Sequence, residues 1–235
     1  MKNLKKSLVA GLVTVGYSLP LHADVITIGF EEFGLVEENE PINDFYDGGT
    51  NNAGVTGPEW GVTFSENSLV LTSQETGEPG SAGNFENNPE GDNIMYFLGG
   101  EAATMNVDGG FATGFSFYYT ANAPAFIDVY SEPDGQGDLI ESLELSQNWQ
   151  DNQCLDTSQQ PFCNFDPIGV EFDGTAQSID FGGTINQVGF DAVTLGTDTP
   201  GEEPAEVPAP TTLALLAAGL AGFVGLGFTP RRQES

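Results

Sequence analysis

The chain has 235 residues and a mass of 24.8 kDa, with 35 Asp and Glu against 5 Lys and Arg, for a formal net charge of −30. Lys2, Lys5, Lys6, Arg231 and Arg232, with the only histidine, His22, sit near the two ends, and of the acids only Glu234 falls outside residues 24–206, which hold 35 − 1 = 34 carboxylates and no cationic side chain. Such a segment repels nucleic acid and anionic lipid; it also lacks the residues for a Ser-His-Asp triad, a Cys-His pair, a Schiff-base lysine or an arginine clamp, and so reads as non-enzymatic.

In chain order, Lys2, Lys5 and Lys6 precede an apolar stretch over 8–19 and then the small residue Ala23. This predicts a secretory signal peptide over 1–23, cut after Ala23. From 24 to 197 apolar residues recur with period two in short runs separated by Gly, Asn, Asp and Pro, and no helical period is sustained. Ile26, Ile28 and Phe30 share one face, as do Trp60, Val62 and Phe64, and as do Phe111, Thr113, Phe115, Phe117 and Tyr119. Further strands are predicted over 94–98, 126–130, 139–145, 168–172, 179–181 and 187–195. Turn-forming glycines punctuate them at 47–49, 108–110, 134–135, 173–174 and 182–183. The sequence 134–138 reads as a hairpin turn, since it lacks the acidic spacing of a calcium-binding EF-hand loop. The prediction is one all-β domain, a jelly-roll-like antiparallel β-sandwich over 24–197.

Within that domain three groups of residues carry chemistry. Glu31 and Glu32 end the first strand and Asp191 lies in the last; a jelly roll sets those strands side by side, so these acids, with Asp44, are candidate calcium ligands. Phe190-Asp191-Ala192-Val193 resembles the closing strand of calcium-bound carbohydrate-binding modules of jelly-roll type, which implies the same metal. Cys154 and Cys163 are the only cysteines; in an exported protein they predict a disulfide, which would add roughly 2.7 kcal/mol by closing a loop of about ten residues. Trp60 and Trp149 are the candidates for stacking on a sugar ring.

Residues 198–206 form an acidic, Pro- and Gly-rich linker. After it come Val207-Pro208-Ala209-Pro210, an uncharged apolar run over 211–228, and Arg231-Arg232. Eighteen residues at roughly 1.5 Å each reach about 27 Å, so the run is a marginal transmembrane helix, and the arginines keep its end in the cytoplasm. Motif, helix and basic end, in that order, resemble the PEP-CTERM sorting signal over 207–235, which implies recognition by an exosortase-type processing enzyme. Ala209 stands where that family most often has glutamate. Residues 167–176, 178–184 and 186–191, with Trp60-Gly61-Val62-Thr63-Phe64-Ser65, are similar to ectodomains attached to such tails, which implies an exported sandwich associated with extracellular polysaccharide.

The expectation is thus an exported surface or extracellular-matrix protein, held transiently in the inner membrane by its C-terminal helix, sorted by an exosortase-type system, and associated with exopolysaccharide or biofilm, with calcium bridging its carboxylates. The alternative is an exported lectin or a glycan-active enzyme that uses a carboxylate pair.

Overall fold

A computed structural model of the protein describes residues 25–36, 39–151 and 162–201. The expected signal peptide, the sorting tail with its helix, residues 202–206 of the linker and Cys154 lie outside the described residues. Among the described residues no helix is long and apolar enough to cross a membrane.

The described residues form ten strands: β1 (Ile26–Ile28), β2 (Glu40–Pro41), β3 (Val62–Phe64), β4 (Ser68–Thr72), β5 (Asn93–Phe97), β6 (Ala102–Ala121), β7 (Ala125–Glu132), β8 (Gln136–Leu145), β9 (Asp166–Gly183) and β10 (Val188–Leu195). They pair in the order β2-β4-β5-β10-β6-β9-β7-β8, with β1 beside β10 and β3 beside β6, and these pairings are antiparallel. The architecture is all-β and sandwich-like.

The two long strands β6 and β9 explain how one hydrogen-bonded path gives two layers. Their pairing runs from Ala102↔Gly182 to Tyr119↔Asp166, with register shifts between Asn106 and Phe111 and between Ala112 and Thr113. At these shifts Gly109, Gly110 and Thr113 adopt positive φ, so the ribbon bends instead of continuing flat. One half of the ribbon then joins β3, β7 and β8, and the other joins β10, β5, β4, β2 and β1.

The inner faces meet in a core of alternating residues. Ala103, Met105, Ile127, Val129, Ile179 and Phe181 face inward from the first layer; Val70, Met95, Phe97, Phe115, Phe117 and Phe190 do so from the second. A second aromatic group, Phe30, Phe33, Phe45, Tyr46 and Phe64, closes the end of the sandwich beside β1.

Two sequence expectations are corrected here. Asp108-Gly109-Gly110 and Asp173-Gly174 do not reverse the chain: the first lies inside β6 and the second inside β9, so 168–172 and 179–181 belong to one strand. Bulges at facing positions bend both strands together, a use of positive φ that the residues alone do not distinguish from a turn. By contrast, Asp134-Gly135, with φ 59° and 65°, is the hairpin turn between β7 and β8. The strand β4 has no counterpart among the expected strands. Ser68, Leu69, Val70 and Thr72 are all buried, because its layer is covered on both faces and its apolar run does not alternate. The outer cover is a roof of two segments joined by a bridge between Phe85 and Phe162, with Phe85 buried and edge-on to Phe165.

Candidate functional site

Two places gather polar side chains; Glu31, Glu32 and Asp191 meet at the first, and none of the sequence-predicted residues lines the second. The first is where β1 leaves the sheet. Phe30, with φ 67°, turns the chain into a short 3-10 turn over Glu31–Phe33, which carries Glu31 and Glu32 to the edge of the 88–93 segment. There Glu31 Oε1 accepts the backbone N–H groups of Asp92 (2.9 Å) and Asn93 (2.7 Å), while Glu32 Oε2 accepts the hydroxyl of Tyr46 at 3.0 Å.

Asp191 meets the same segment from β10. It is fully buried; Oδ2 accepts the N–H of Glu90 (3.1 Å) and the amide of Asn88 (3.4 Å), and Oδ1 accepts the N–H of Ala192 (2.7 Å). Burial holds the Asp191 carboxyl well above the usual carboxylate range, against the pull of those donors. Glu31 is raised by burial, and Glu90 by burial and then by the charge of Glu32. The Tyr46 hydroxyl is pushed well up, by burial first and by Glu32 next.

Glu31, Glu32 and Asp191 therefore lie against one segment, with Glu90 as a fourth acid that sequence reasoning missed. Asp44 is not tied to them: it is exposed, in a turn where its carbonyl accepts the N–H groups of Asp47 and Gly49. Among the described residues no group of three or more His, Cys, Asp or Glu side chains is placed to hold a metal ion. Both oxygens of Asp191 and one of Glu31 are already taken by N–H donors. As arranged, the four residues predicted for calcium do not fit it as a set. Instead, Glu31 and Asp191 pin the 88–93 segment to the turn after β1 and to β10, and Glu32 holds the Tyr46 hydroxyl.

The second place is a groove of about 500 Å³ whose lining includes Leu35, Val36, Asn39, Glu40, Asn52 and Glu78. Glu40 begins β2 and is almost wholly buried, yet both of its oxygens are satisfied: Oε1 accepts the Asn52 N–H and Oε2 accepts the Asn52 amide, each at 2.7 Å. Asn39 adopts φ 67°, a conformation Asn tolerates, and its Oδ1 accepts the Tyr96 hydroxyl. Asn51 braces the wall by donating to the Phe33 carbonyl (3.0 Å) and accepting the Val55 N–H (2.8 Å). Each of Asn39 and Asn52 thus has one end of its amide fixed, and no described hydrogen bond uses the Asn39 Nδ2 or the Asn52 Oδ1. The groove offers one oriented donor and one oriented acceptor beside Leu35, which is 53% exposed. Nothing in the sequence period marks these residues, because all but Glu40, which opens the two-residue β2, lie in loops.

The tryptophans are separate from the groove. Trp60 stacks on Tyr46 at 5.4 Å and 15° and packs against the core, so one of its faces is occupied by protein. Trp149 is half-buried, 5.8 Å from Phe162, and its carbonyl accepts the N–H groups of Cys163 (2.9 Å) and Asn164 (3.3 Å). It secures the chain that returns from the cysteine loop. Cys163 is buried there, and its expected partner Cys154 lies outside the described residues.

No protein-family model matches the chain, and no curated protein matches it in sequence. Among solved structures, the K2 cleaved adhesin domain of Lys-gingipain is similar at 12% identity and a TM-score of 0.43, over 73% of this chain and 98% of that one. A family 6 carbohydrate-binding module is similar at 18% identity and a TM-score of 0.35, over 57% of this chain and 86% of that one. A family 43 arabinoxylan arabinofuranohydrolase from Bacillus subtilis is similar at 15% identity and a TM-score of 0.36, with 63% of this chain covering 32% of that enzyme. Likenesses this distant assign neither a family nor a ligand.

Proposed function

We propose that the protein is an exported, non-catalytic surface or matrix component whose β-sandwich binds glycan in the Asn39–Asn52 groove. The observation that carries the reading is the fixed orientation of those two amides by Tyr96 and Glu40 beside an exposed apolar side chain. A sugar ring presents hydroxyls that both donate and accept, together with apolar C–H faces. Amides held in place before binding meet the hydroxyls without losing side-chain entropy, while Leu35 meets the C–H face. The absence of His, Lys and Arg from residues 24–206 supports a binding role over a catalytic one.

A glycan array probed with the full-length chain, followed by calorimetric titration of the best ligand, tests this. Asn39→Ala and Asn52→Ala are each expected to weaken binding by about fivefold to tenfold, the value of one or two oriented hydrogen bonds. A chain that binds no glycan, or that binds one equally well in both variants, would remove the groove from consideration.

Delivery rests on different residues. We infer that residues 1–23 export the chain and that the Pro208-Pro210 motif, the 211–228 run and Arg231-Arg232 hand it to an exosortase-type peptidase that releases it toward an exopolysaccharide layer. Replacing Pro208 and Pro210 is then expected to leave an unprocessed, membrane-held species in the native host, read by intact-mass measurement of the membrane and secreted fractions. Unchanged release of the variant would favour a sorting-independent route.

A further inference from the structure

The outer face of the layer built from β3, β6, β9, β7 and β8 carries an aromatic and acidic stripe that the groove does not use. Ile127 and Val129 face the core, so Phe126, Asp128 and Tyr130 face outward, and all three are half-buried. Phe126 stands directly opposite Gly182 on β9. Its three distal ring atoms lie 2.1–2.4 Å from where a Gly182 Cβ would stand, so the ring lies face-down across the glycine and turns its other face away from the sheet. Tyr130 stands opposite Leu139 of β8, which is 54% exposed. The two aromatic positions, four residues apart on a strand, are separated by about 13 Å.

Two carboxylates lie between them. Asp128 is directly opposite Asp180, which is directly opposite Thr104 of β6. Thr104 donates to Asp180 Oδ1 at 2.6 Å, and burial first, then the charges of Asp128 and Asp180, hold the Tyr130 hydroxyl above its ordinary range. Like charges in a facing cross-strand pair are unfavourable, and no cationic side chain exists between residues 24 and 206 to offset them. The hairpin turn bounds the stripe on one side: Gly135 donates to Ser178 Oγ at 3.0 Å, and a Cβ on it would come within 2.9 Å of Asp180 Oδ2.

The geometry points to a second carbohydrate site on this face, selective for oligomers of hexosamine that carry free amines. An ammonium group placed between Asp128 and Asp180 supplies the charge this face lacks, and the sugar ring that bears it lies within reach of the aromatic faces, where a cation is also attracted. The stripe is longer than one sugar ring, so an oligomer gains contacts a monomer cannot make. A neutral glycan leaves the carboxylate pair uncompensated, and a polyanionic one is repelled. The site does not depend on the groove.

Titrating the full-length chain with a glucosamine hexamer, and separately with the fully N-acetylated hexamer, tests it. The amine hexamer is expected to bind, with affinity falling as salt rises, and the acetylated one to bind at least about tenfold more weakly. Asp128→Asn and Phe126→Leu are each expected to lose about tenfold; leucine keeps Gly182 covered while removing the aromatic face, so the fold survives. Glu171→Gln, which removes an exposed charge on β9 outside the stripe, is expected to leave this binding unchanged. Equal affinity for the two hexamers, or equal losses for Asp128→Asn and Glu171→Gln, would overturn the site and leave only diffuse attraction to an acidic surface.

Discussion

Phe181→Ala is expected to destabilise the domain by about 3–5 kcal/mol, the range for removing a fully buried phenylalanine. Phe181 is 0% exposed and is where the two layers interlock: from β9 its ring meets Phe115 (6.4 Å, 80°), Phe117 (6.0 Å, 81°) and Phe190 (5.0 Å, 66°) across the sandwich. These are edge-to-face contacts, each worth about 0.5–1.5 kcal/mol beyond the area buried. The hole left by alanine cannot close easily, because Phe115 and Phe117 lie on β6 and Phe190 on β10, strands bound to each other by ladder hydrogen bonds. Against a typical total of 5–15 kcal/mol, this single change removes a large share of the stability. Urea unfolding followed by tryptophan fluorescence reads it as a lower midpoint at unchanged slope. A loss below about 1 kcal/mol would mean that the layers do not depend on this contact.

What the sequence made legible follows from how many faces each strand covers. Ile28, Val62 and Phe64, and Phe115, Phe117 and Tyr119 keep period two on the core face, whereas Thr113, which the sequence places on that face, is exposed at the bulge of β6 with φ 75°. In β4 and in β10, where all eight residues are buried, both faces are covered and the alternation disappears. The sequence divides β9 into 168–172 and 179–181 because Asp173-Gly174, with Gly174 at positive φ, serves a bulge as readily as a turn. The placement of Asp191 near the end of the first strand was legible, since first and last strands lie side by side as Ile28↔Val193. Glu90 was not: it reaches Asp191 through a loop, from 101 positions away in the chain. The groove shares that difficulty, because Asn39, Glu40 and Asn52 become a unit only through hydrogen bonds between β2 and a distant turn. The outer stripe lies between these cases. Phe126, Asp128 and Tyr130 are visible as an outward face, whereas their partners Gly182, Asp180 and Leu139 require the strand register.

Acidification from pH 7, with a chelator present, is expected to raise the melting midpoint, the reverse of ordinary acid denaturation. Glu31, Glu90, Asp180 and Asp191 all have carboxyls raised above their ordinary values of 4.5 or 3.8, chiefly by burial, and no cationic side chain in the domain opposes this. A carboxyl whose folded pKa is raised binds its proton more tightly in the native state than in the unfolded one. Its contribution therefore lowers stability fully above the folded pKa, and that penalty fades as pH falls from there toward the ordinary value near 4. Relief of self-repulsion in a chain of net charge −30 acts in the same direction. Asp191 carries the largest part, being fully buried with three N–H donors that fail to offset its burial; Glu31, Glu90 and Asp180 are more exposed and contribute less after solvent screening. Each kcal/mol recovered raises the midpoint by roughly 2–4 °C at this size. Asp191→Asn removes the titrating group and is expected to make the rise shallower, at the cost of one acceptor for the Asn88–Glu90 segment. Calorimetric scans between pH 7.5 and 4.5 on both chains decide it: a midpoint that falls steadily with acid, or an equal slope in the variant, would show that the buried carboxyls do not govern the stability of this anionic sandwich.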